Sequence, residues 1–386
     1  MPKYSSIEGC PKENLAYIPK TVLKEACQDL SLSTAGTKEE LCARLMAALP
    51  KNIGQGTYGC VYKSPIPCAE DWEGAGKPNI VSKWMRKQAA EEEVAEHRKF
   101  KLHEIEGSDK WSISKPHMCT PNKKVLKHVP PCSVMSDGVD DSQHVDDSKL
   151  LMYADGGISL SETLGTTSLK DVLVGLKNVF LGISVMNKRG IYHLDLKPAN
   201  IVVKDGMYRI IDFGLSQELK THPELPELYT QTYYIWPPEL TFLAEFILGN
   251  IDLEADDEID SMIGYIASDY NADFWVVRYH HADDYDASAS KTSSTSKYLR
   301  ELYDLYREGG EYYDIIATKL DVYGLGTLLM EVITTNASLS NSSPSPAVFL
   351  KTKKFVDEKK LLSHNPRERP TPTALYKEYV KFVDGL

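Results

Sequence analysis

The sequence has no apolar run approaching the ~18 residues that would cross a bilayer, and its first ten residues, MPKYSSIEGC, lack the apolar core of a secretory leader. A soluble, intracellular protein without a membrane partner is expected. Its seven cysteines, at positions 10, 27, 42, 60, 68, 119 and 132, are odd in number and include no C-x-x-C pair, which points to reduced thiols. A basic excess is also missing. The net charge of −11 argues against nonspecific nucleic-acid binding by the whole surface. That charge is uneven: residues 240–318 hold 17 acidic and 5 basic residues, a net of −12, so the remainder is close to neutral. Global disorder is excluded by 42% hydrophobic content over 386 residues, enough for one large or two ordinary domains.

What is present centres on residues 191–214, IYHLDLKPANIVVKDGMYRIIDFG. Two strand-length runs, 201–203 and 207–211, flank a Lys204-Asp205-Gly206 turn and predict a hairpin. Asn200 stands at its entrance and Asp212 at its exit, so two oxygen-donor side chains meet at one end. Mg²⁺ wants such donors, completed by phosphate oxygens and water. Asp195 and Lys197, on the preceding loop, suit a proton-accepting carboxylate and a cation that offsets phosphate charge.

The pattern H-x-D-x-K-x-x-N followed by Asp212-Phe213-Gly214 resembles the catalytic loop and metal-binding turn of protein kinases. The resemblance implies an α+β, two-lobed kinase fold over residues 51–386, with a small β-rich lobe (51–153) and a larger helical lobe (154–386). It implies ATP and Mg²⁺ as cofactors and proteins as substrates. Asp195, Lys197 and Asn200 become the catalytic set, and Asn200 and Asp212 the metal ligands. Residues 54–61, GQGTYGCV, match the family's glycine-rich loop, so Gly54, Gln55, Gly56, Thr57, Tyr58, Gly59 and Val61 are assigned to ATP. Lys83, in NIVSKWM, matches the strand lysine, although Ser82 stands where an apolar residue is usual. The Pro/Gly-rich residues 65–79 read as a loop.

The charged run 87–105 reads as a helix. Placing Phe100, Leu102 and Ile105 on its buried side favours Glu96 as the partner of Lys83, with Glu93 one turn earlier as the rival. Residues 150–157 resemble the last small-lobe strand and hinge, with adenine meeting backbone near Met152 and Ala154 and Leu151 as the gatekeeper. A long apolar helix, 169–188, leads into the catalytic loop. The activation segment, 215–239, ends in a variant of A-P-E. Thr232, seven residues before Glu239, and the L-K-P-x-N form of the loop imply Ser/Thr specificity. Asp321 in LDVYGLG is expected to hold the backbone around His193, and Arg369 to pair with Glu239.

N-terminal to this, residues 1–15 read as a tail and 17–49 as two short helices. The first carries Val22, Ala26, Cys27 and Leu30 at helical spacing. The second opens with a Thr37/Glu40 capping box and continues with Leu41, Leu45 and Leu49. The core of Gly36, Lys38 and Leu41 makes residues 16–50 similar to a SAP motif, a module often used on DNA. Lys20, Lys24, Lys38 and Arg44 are offset by Glu25, Asp29, Glu39 and Glu40, so only a weak DNA contact is expected. A helical extension packed on the next domain is the equal alternative.

The chain departs from the family between Glu239 and Asp321, where 81 residues intervene. An acidic insertion over about 243–317 is expected. Its pattern is helical at 297–307, and its Ser-rich run 288–296 reads as mobile. This insertion, the short C-terminal end and the SAP-like start resemble the Ser/Thr kinases of large nucleocytoplasmic DNA viruses. That resemblance implies a viral protein acting in the host cytoplasm and virion.

Overall fold

A computed structural model describes residues 17–56, 58–77, 79–129, 132–135, 146–218, 235–247, 256–272, 288–308, 319–339 and 346–386. Thr57, Thr232, residues 1–15 and most of the activation segment lie outside the described residues. The chain divides into two compact units, Met1–His103 with Ile113–Asp155, and Glu104–Ser112 with Gly156–Leu386. Among the described residues no helix is long and apolar enough to cross a membrane.

The first unit begins with helices α1 (Lys20–Asp29) and α2 (Lys38–Ala48). Thr37 accepts the Glu40 N–H while the Glu40 carboxylate accepts the Thr37 N–H, closing the capping box. Leu23, Ala26, Cys27, Leu41 and Leu45 bury one face of the pair. Val22 is 39% exposed, so the buried stripe of α1 runs through Leu23 instead. The pair is tied to the rest of its unit through a short helix, α3 (Lys123–Leu126), and the turn after it. Asp29 meets Lys127 at 2.9 Å and His128 at 2.8 Å, and Glu25 meets Lys127 at 3.3 Å.

A five-stranded antiparallel sheet forms the body of this unit, in the order β1 (Lys51–Gly56), β2 (Gly59–Lys63), β3 (Ile80–Arg86), β5 (Ser148–Ala154), β4 (His117–Cys119). In this register Lys83 lies between Val61 and Leu151. One further helix, Lys87–Phe100, follows β3 directly and packs on β3 and β5 through Ala90 and Val94. It ends where Lys101 turns left-handed, φ 46°.

The cysteines correct the expectation of reduced thiols. Cys60 is bonded to Cys132 and Cys68 to Cys119, and Cys42 is also disulfide-bonded, while Cys27 is free and buried. Among the described residues, Cys27 is the one free thiol. The Cys68–Cys119 bond also explains the Pro/Gly-rich loop. Ala69 N–H donates to Thr120 O, Asn122 N–H to Pro67 O, and Trp72 stacks on His117 at 4.8 Å, so the loop is fastened along β4.

The second unit is mainly helical. Two abutting helices, Leu169–Gly175 and Lys177–Asn187, replace the single helix expected over 169–188. They lead to β7 (Ile191–Tyr192) and the hairpin of β8 (Ile201–Lys204) and β9 (Met207–Ile210), with β6 (Ile158–Ser159) beside β8 and β10 (Gln217–Glu218) beside β7. The helices Leu320–Leu339, Pro346–Glu358 and Pro372–Asp384 complete the unit.

The acidic insertion is built into this core. Its described parts include the helices Asp256–Ala272 and Ser288–Arg307, so the Ser-rich run lies in the first half of a helix. Ile259, Ile263 and Ile266 from one, and Tyr298, Leu299, Leu302 and Tyr303 from the other, are buried in one cluster with Leu194, Ile235 and Trp236. Apolar residues at three- and four-residue spacing give each helix one buried face, while Asp256, Asp260 and Asp304 remain outside around Arg300.

Candidate active site

In the first unit, the turn between β1 and β2 carries three glycines. Gly59 faces the Trp84 carbonyl so closely that a Cβ would collide with it, whereas a Cβ on Gly54 meets nothing within 4 Å. The outer glycine therefore leaves a backbone surface open to a ligand, and the inner one lets β2 approach β3. Gln55, exposed, donates to Ser133 Oγ at 2.6 Å, and Tyr58 is 66% exposed. Cys60 anchors the same turn through Cys132.

Lys83 Nζ pairs with Glu93 Oε2 at 2.6 Å. Glu93, not Glu96, is thus the lysine's partner. Glu96 faces the lysine only if Leu102 and Ile105 belong to the helix face. The helix stops at Phe100, so its buried face is set by Ala90, Val94 and His97, with Glu93 beside it. Glu93 Oε1 accepts a 2.6 Å hydrogen bond from the Tyr153 hydroxyl, and His97 Nε2 lies 3.4 Å from that hydroxyl. Burial, then the charges of His103, Lys83 and Lys115, pull the His97 pKa down to about 4. Leu151 is fully buried opposite Lys83. Met152 is buried within β5 between β3 and β4, and Ala154 pairs only with Ile80 of β3 and is exposed.

In the second unit the loop over residues 193–200 is held from several directions. Asp321, 1% exposed, accepts the N–H of His193 at 2.9 Å and of Leu194 at 3.0 Å, and the Asn187 amide at 2.7 Å. His193 Nδ1 accepts the Asp195 N–H at 3.2 Å, and its Nε2 meets Ile211 O at 3.3 Å. These contacts place the hydrogen on Nε2 and link the loop to the residue before Asp212. Ile211 N–H also donates to Asn200 O at 2.9 Å, which joins the two ends of the hairpin. Leu194 and Asp212 both sit at φ 63°, a left-handed conformation costly for residues other than glycine.

Asp195 is 6% exposed. Its Oδ2 accepts Lys197 Nζ at 3.0 Å and Asn200 Nδ2 at 2.7 Å. Asn200 Nδ2 also donates to Asp195 O, so the amide orientation is fixed and its Oδ1 is the side that can serve a cation. Asp212 is exposed, and its Oδ1 accepts the Gly214 N–H at 3.3 Å. One amide oxygen and one carboxylate are too few to cage a metal alone, and no group of three acidic, His or Cys residues able to do so occurs among the described residues. The donor set fits Mg²⁺ that brings phosphate and water ligands with it.

Below the loop, Arg369 and Glu239 form a fully buried ion pair, in which Nη2 donates to Oε2 at 2.9 Å and Nη1 lies 2.7 Å from Oε1 without a hydrogen-bond geometry. Trp236 Nε1 donates to Leu194 O at 2.8 Å, and Ser216 Oγ to His193 O at 3.3 Å. Sequence reasoning did not single out Tyr153, His97, Cys60 or the Trp236 bond. Only the four-residue spacing of Glu93 and His97 hinted at a shared face.

Two family models match the chain: the protein kinase domain over residues 143–248 and the SAP domain over residues 19–50. They show a protein kinase domain and, N-terminal to it, a SAP domain. The chain is 34% identical over 77 residues to cyclin-dependent kinase F-3 of Oryza sativa subsp. japonica, covering 20% of this chain and 18% of that protein. It is 34% identical over 77 residues to serine/threonine-protein kinase 17A of Oryctolagus cuniculus, covering 19% of each. A longer match, 27% identical over 191 residues, joins it to a probable cell division protein kinase of Encephalitozoon cuniculi (strain GB-M1), covering 49% of this chain and 60% of that one. The match thus spans about a fifth of the first two relatives' own lengths. All three are eukaryotic and carry no link to viral kinases.

Proposed function

We propose that the chain transfers the γ-phosphate of ATP to serine and threonine hydroxyls of proteins. The observation that carries this reading is the Asp195 carboxylate, buried and fixed by Lys197 and Asn200 through one oxygen. In this reading Asp195 orients the attacking hydroxyl and accepts its proton, and Lys197 offsets charge on the transferring group. Asn200 Oδ1 and Asp212 would hold Mg²⁺, which supplies charge neutralisation on the phosphates when bound. In the first unit, the open backbone at Gly54 and Gly56 and the Glu93-oriented Lys83 would hold the α- and β-phosphates, with Met152 and Ala154 near adenine. Such chemistry is driven by positioning and electrostatics. Ser/Thr preference is supported by the L-K-P-x-N loop, by Thr232 in the sequence, and by the name of one relative. A non-catalytic scaffold is disfavoured, because Lys83, Asp195, Asn200 and Asp212 are all present.

The test is ³²P transfer from ATP to a mixed protein substrate by wild type, Asp195→Ala and Asp212→Asn. Loss of incorporation in both variants is expected. Equal incorporation by wild type and Asp195→Ala overturns the assignment.

The SAP segment supports a second, subordinate reading, a weak DNA contact. Glu25 and Asp29 are engaged by Lys127 and His128, so two of the four acids that offset its basic residues are used within the unit. Gel shifts of the full chain at two salt concentrations test it, a shallow salt slope being expected.

A further inference from the structure

We infer that Tyr153 is a positioning residue for Lys83, acting through Glu93; the consequence for phosphate transfer rests on the kinase reading above. The argument starts from the sheet. Side chains of β5 alternate, so Leu151 and Tyr153 lie on the same face, and Leu151 is in register with Lys83. On that face the helix Lys87–Phe100 presents Glu93 and, one turn on, His97. Lys83 and Tyr153 therefore reach Glu93 from two neighbouring strands.

The two contacts use different oxygens of one carboxylate. Lys83 takes Oε2 at 2.6 Å, and the Tyr153 hydroxyl donates to Oε1 at 2.6 Å. A carboxylate held at one oxygen can rotate about its terminal bond, and one held at both cannot. Tyr153 thus fixes which oxygen faces the lysine and ties the helix to β5 as well as to β3. The hydroxyl is itself oriented. It donates to a carboxylate, so its own oxygen is the acceptor available to His97 Nε2, 3.4 Å away. His97 is 9% exposed, and burial lowers its pKa to about 4, so near neutral pH it faces this network as an uncharged imidazole. The aromatic ring also packs against Met85, Ala90, Val94 and Leu151, which holds the phenol in place.

The experiment uses the full chain. Lys83 acetylation by an N-hydroxysuccinimide ester is followed by peptide mass spectrometry in wild type, Tyr153→Phe and Glu93→Gln. An ion-paired amine reacts slowly, so Glu93→Gln sets the rate of the released lysine. In Tyr153→Phe the Lys83 rate is expected to rise at least threefold toward the Glu93→Gln value. Alongside, kcat/KM for ATP is expected to fall about tenfold, the scale of a lost hydrogen bond to a charged group. A Tyr153→Phe protein whose Lys83 labelling matches wild type overturns the proposal, even if its melting temperature drops, because a packing role alone moves stability and not lysine reactivity. Should that variant not fold, Tyr153→Leu, which keeps an apolar contact without the hydroxyl, is judged by the same labelling outcomes. A wild type that transfers no phosphate defeats the kinase reading, while the labelling arm still decides the role of Tyr153.

Discussion

The Asp321 carboxylate accepts the backbone N–H of Leu194 at 3.0 Å, and Leu194 is held at φ 63°. A leucine leaves its preferred backbone regions only where the surroundings enforce it. Here the enforcing group is buried and also takes the N–H of His193, so two donors of the loop before Asp195 converge on one side chain. Asp195 follows directly, and its position is set by that turn.

Asp321→Ala is therefore expected to lower stability by about 3 kcal/mol, through two orphaned buried donors and the freed Asn187 amide. It is expected to reduce phosphate transfer more than this destabilisation explains, because the loop relaxes even in folded protein. Urea unfolding beside transfer rates at low temperature checks both. A variant with wild-type turnover once fully folded would show that the turn holds itself.

The disulfides give a second prediction. Protein purified without reductant, unfolded and alkylated, is expected to carry label on Cys27 and none on Cys60, Cys68, Cys119 or Cys132. Sequence separations of 72 and 51 residues correspond to about 4 kcal/mol each in the chain-entropy account. Reduction should accordingly lower the melting temperature. Peptide mapping that finds Cys60 and Cys132 alkylated in unreduced protein contradicts the pairing.

What the sequence revealed and what it hid follow one division. The convergence of Asp195, Lys197 and Asn200, with Asp212 at the hairpin's exit, was legible because a short loop and one hairpin hold all four within 18 residues of sequence. The choice between Glu93 and Glu96 was not, since the run 91–96 offers four glutamates and only the helix end at Phe100 decides the face. The disulfides join positions far apart in the chain, and pairing of that kind leaves no local pattern. Within the insertion, acid content obscured Ile259, Ile263 and Ile266, which stand at helical spacing and are buried. Net charge describes the exposed face of a helix and says nothing about its other side.

His97 sets a pH dependence. Its folded pKa, about 4, lies below the ordinary 6.5, so the unfolded chain binds the proton first as pH falls. Its contribution to stability is complete above about pH 6.5 and is lost progressively toward pH 4. Between pH 7.5 and 5 the loss is about 2 kcal/mol. Denaturant unfolding over that range should show it, with a flatter profile for His97→Asn. The neighbours that share the site are Tyr153, Glu93, Lys83, His103 and Lys115. A variant with the wild-type slope would assign the effect to them.

The last prediction is that, within the kinase reading, activity needs no phosphate on the activation segment. In many kinases the residue before the catalytic aspartate is arginine, a buried cation that a phosphorylated Ser or Thr neutralises, ordering the segment. Here that residue is Leu194, which makes no charge-assisted bond and leaves no unpaired charge when phosphate is absent. Its place in the fold supplies another kind of order. The Leu194 carbonyl accepts Trp236 Nε1 at 2.8 Å, and Leu194, Ile235 and Trp236 share one buried cluster with the insertion helices. The end of the segment is thus attached to the catalytic loop by packing and one neutral hydrogen bond, neither of which depends on phosphate. Arg209, a cation on the hairpin strand β9, donates through Nε to Asp109 O at 2.7 Å. Phosphatase-treated protein, its state verified by intact mass, is expected to keep transfer within about twofold of the untreated enzyme. Trp236→Phe, which keeps the ring and deletes the donor, is expected to lose about five- to tenfold, the scale of one buried hydrogen bond. A large loss on dephosphorylation that returns after incubation with ATP would establish a phosphate switch and overturn this account of Leu194.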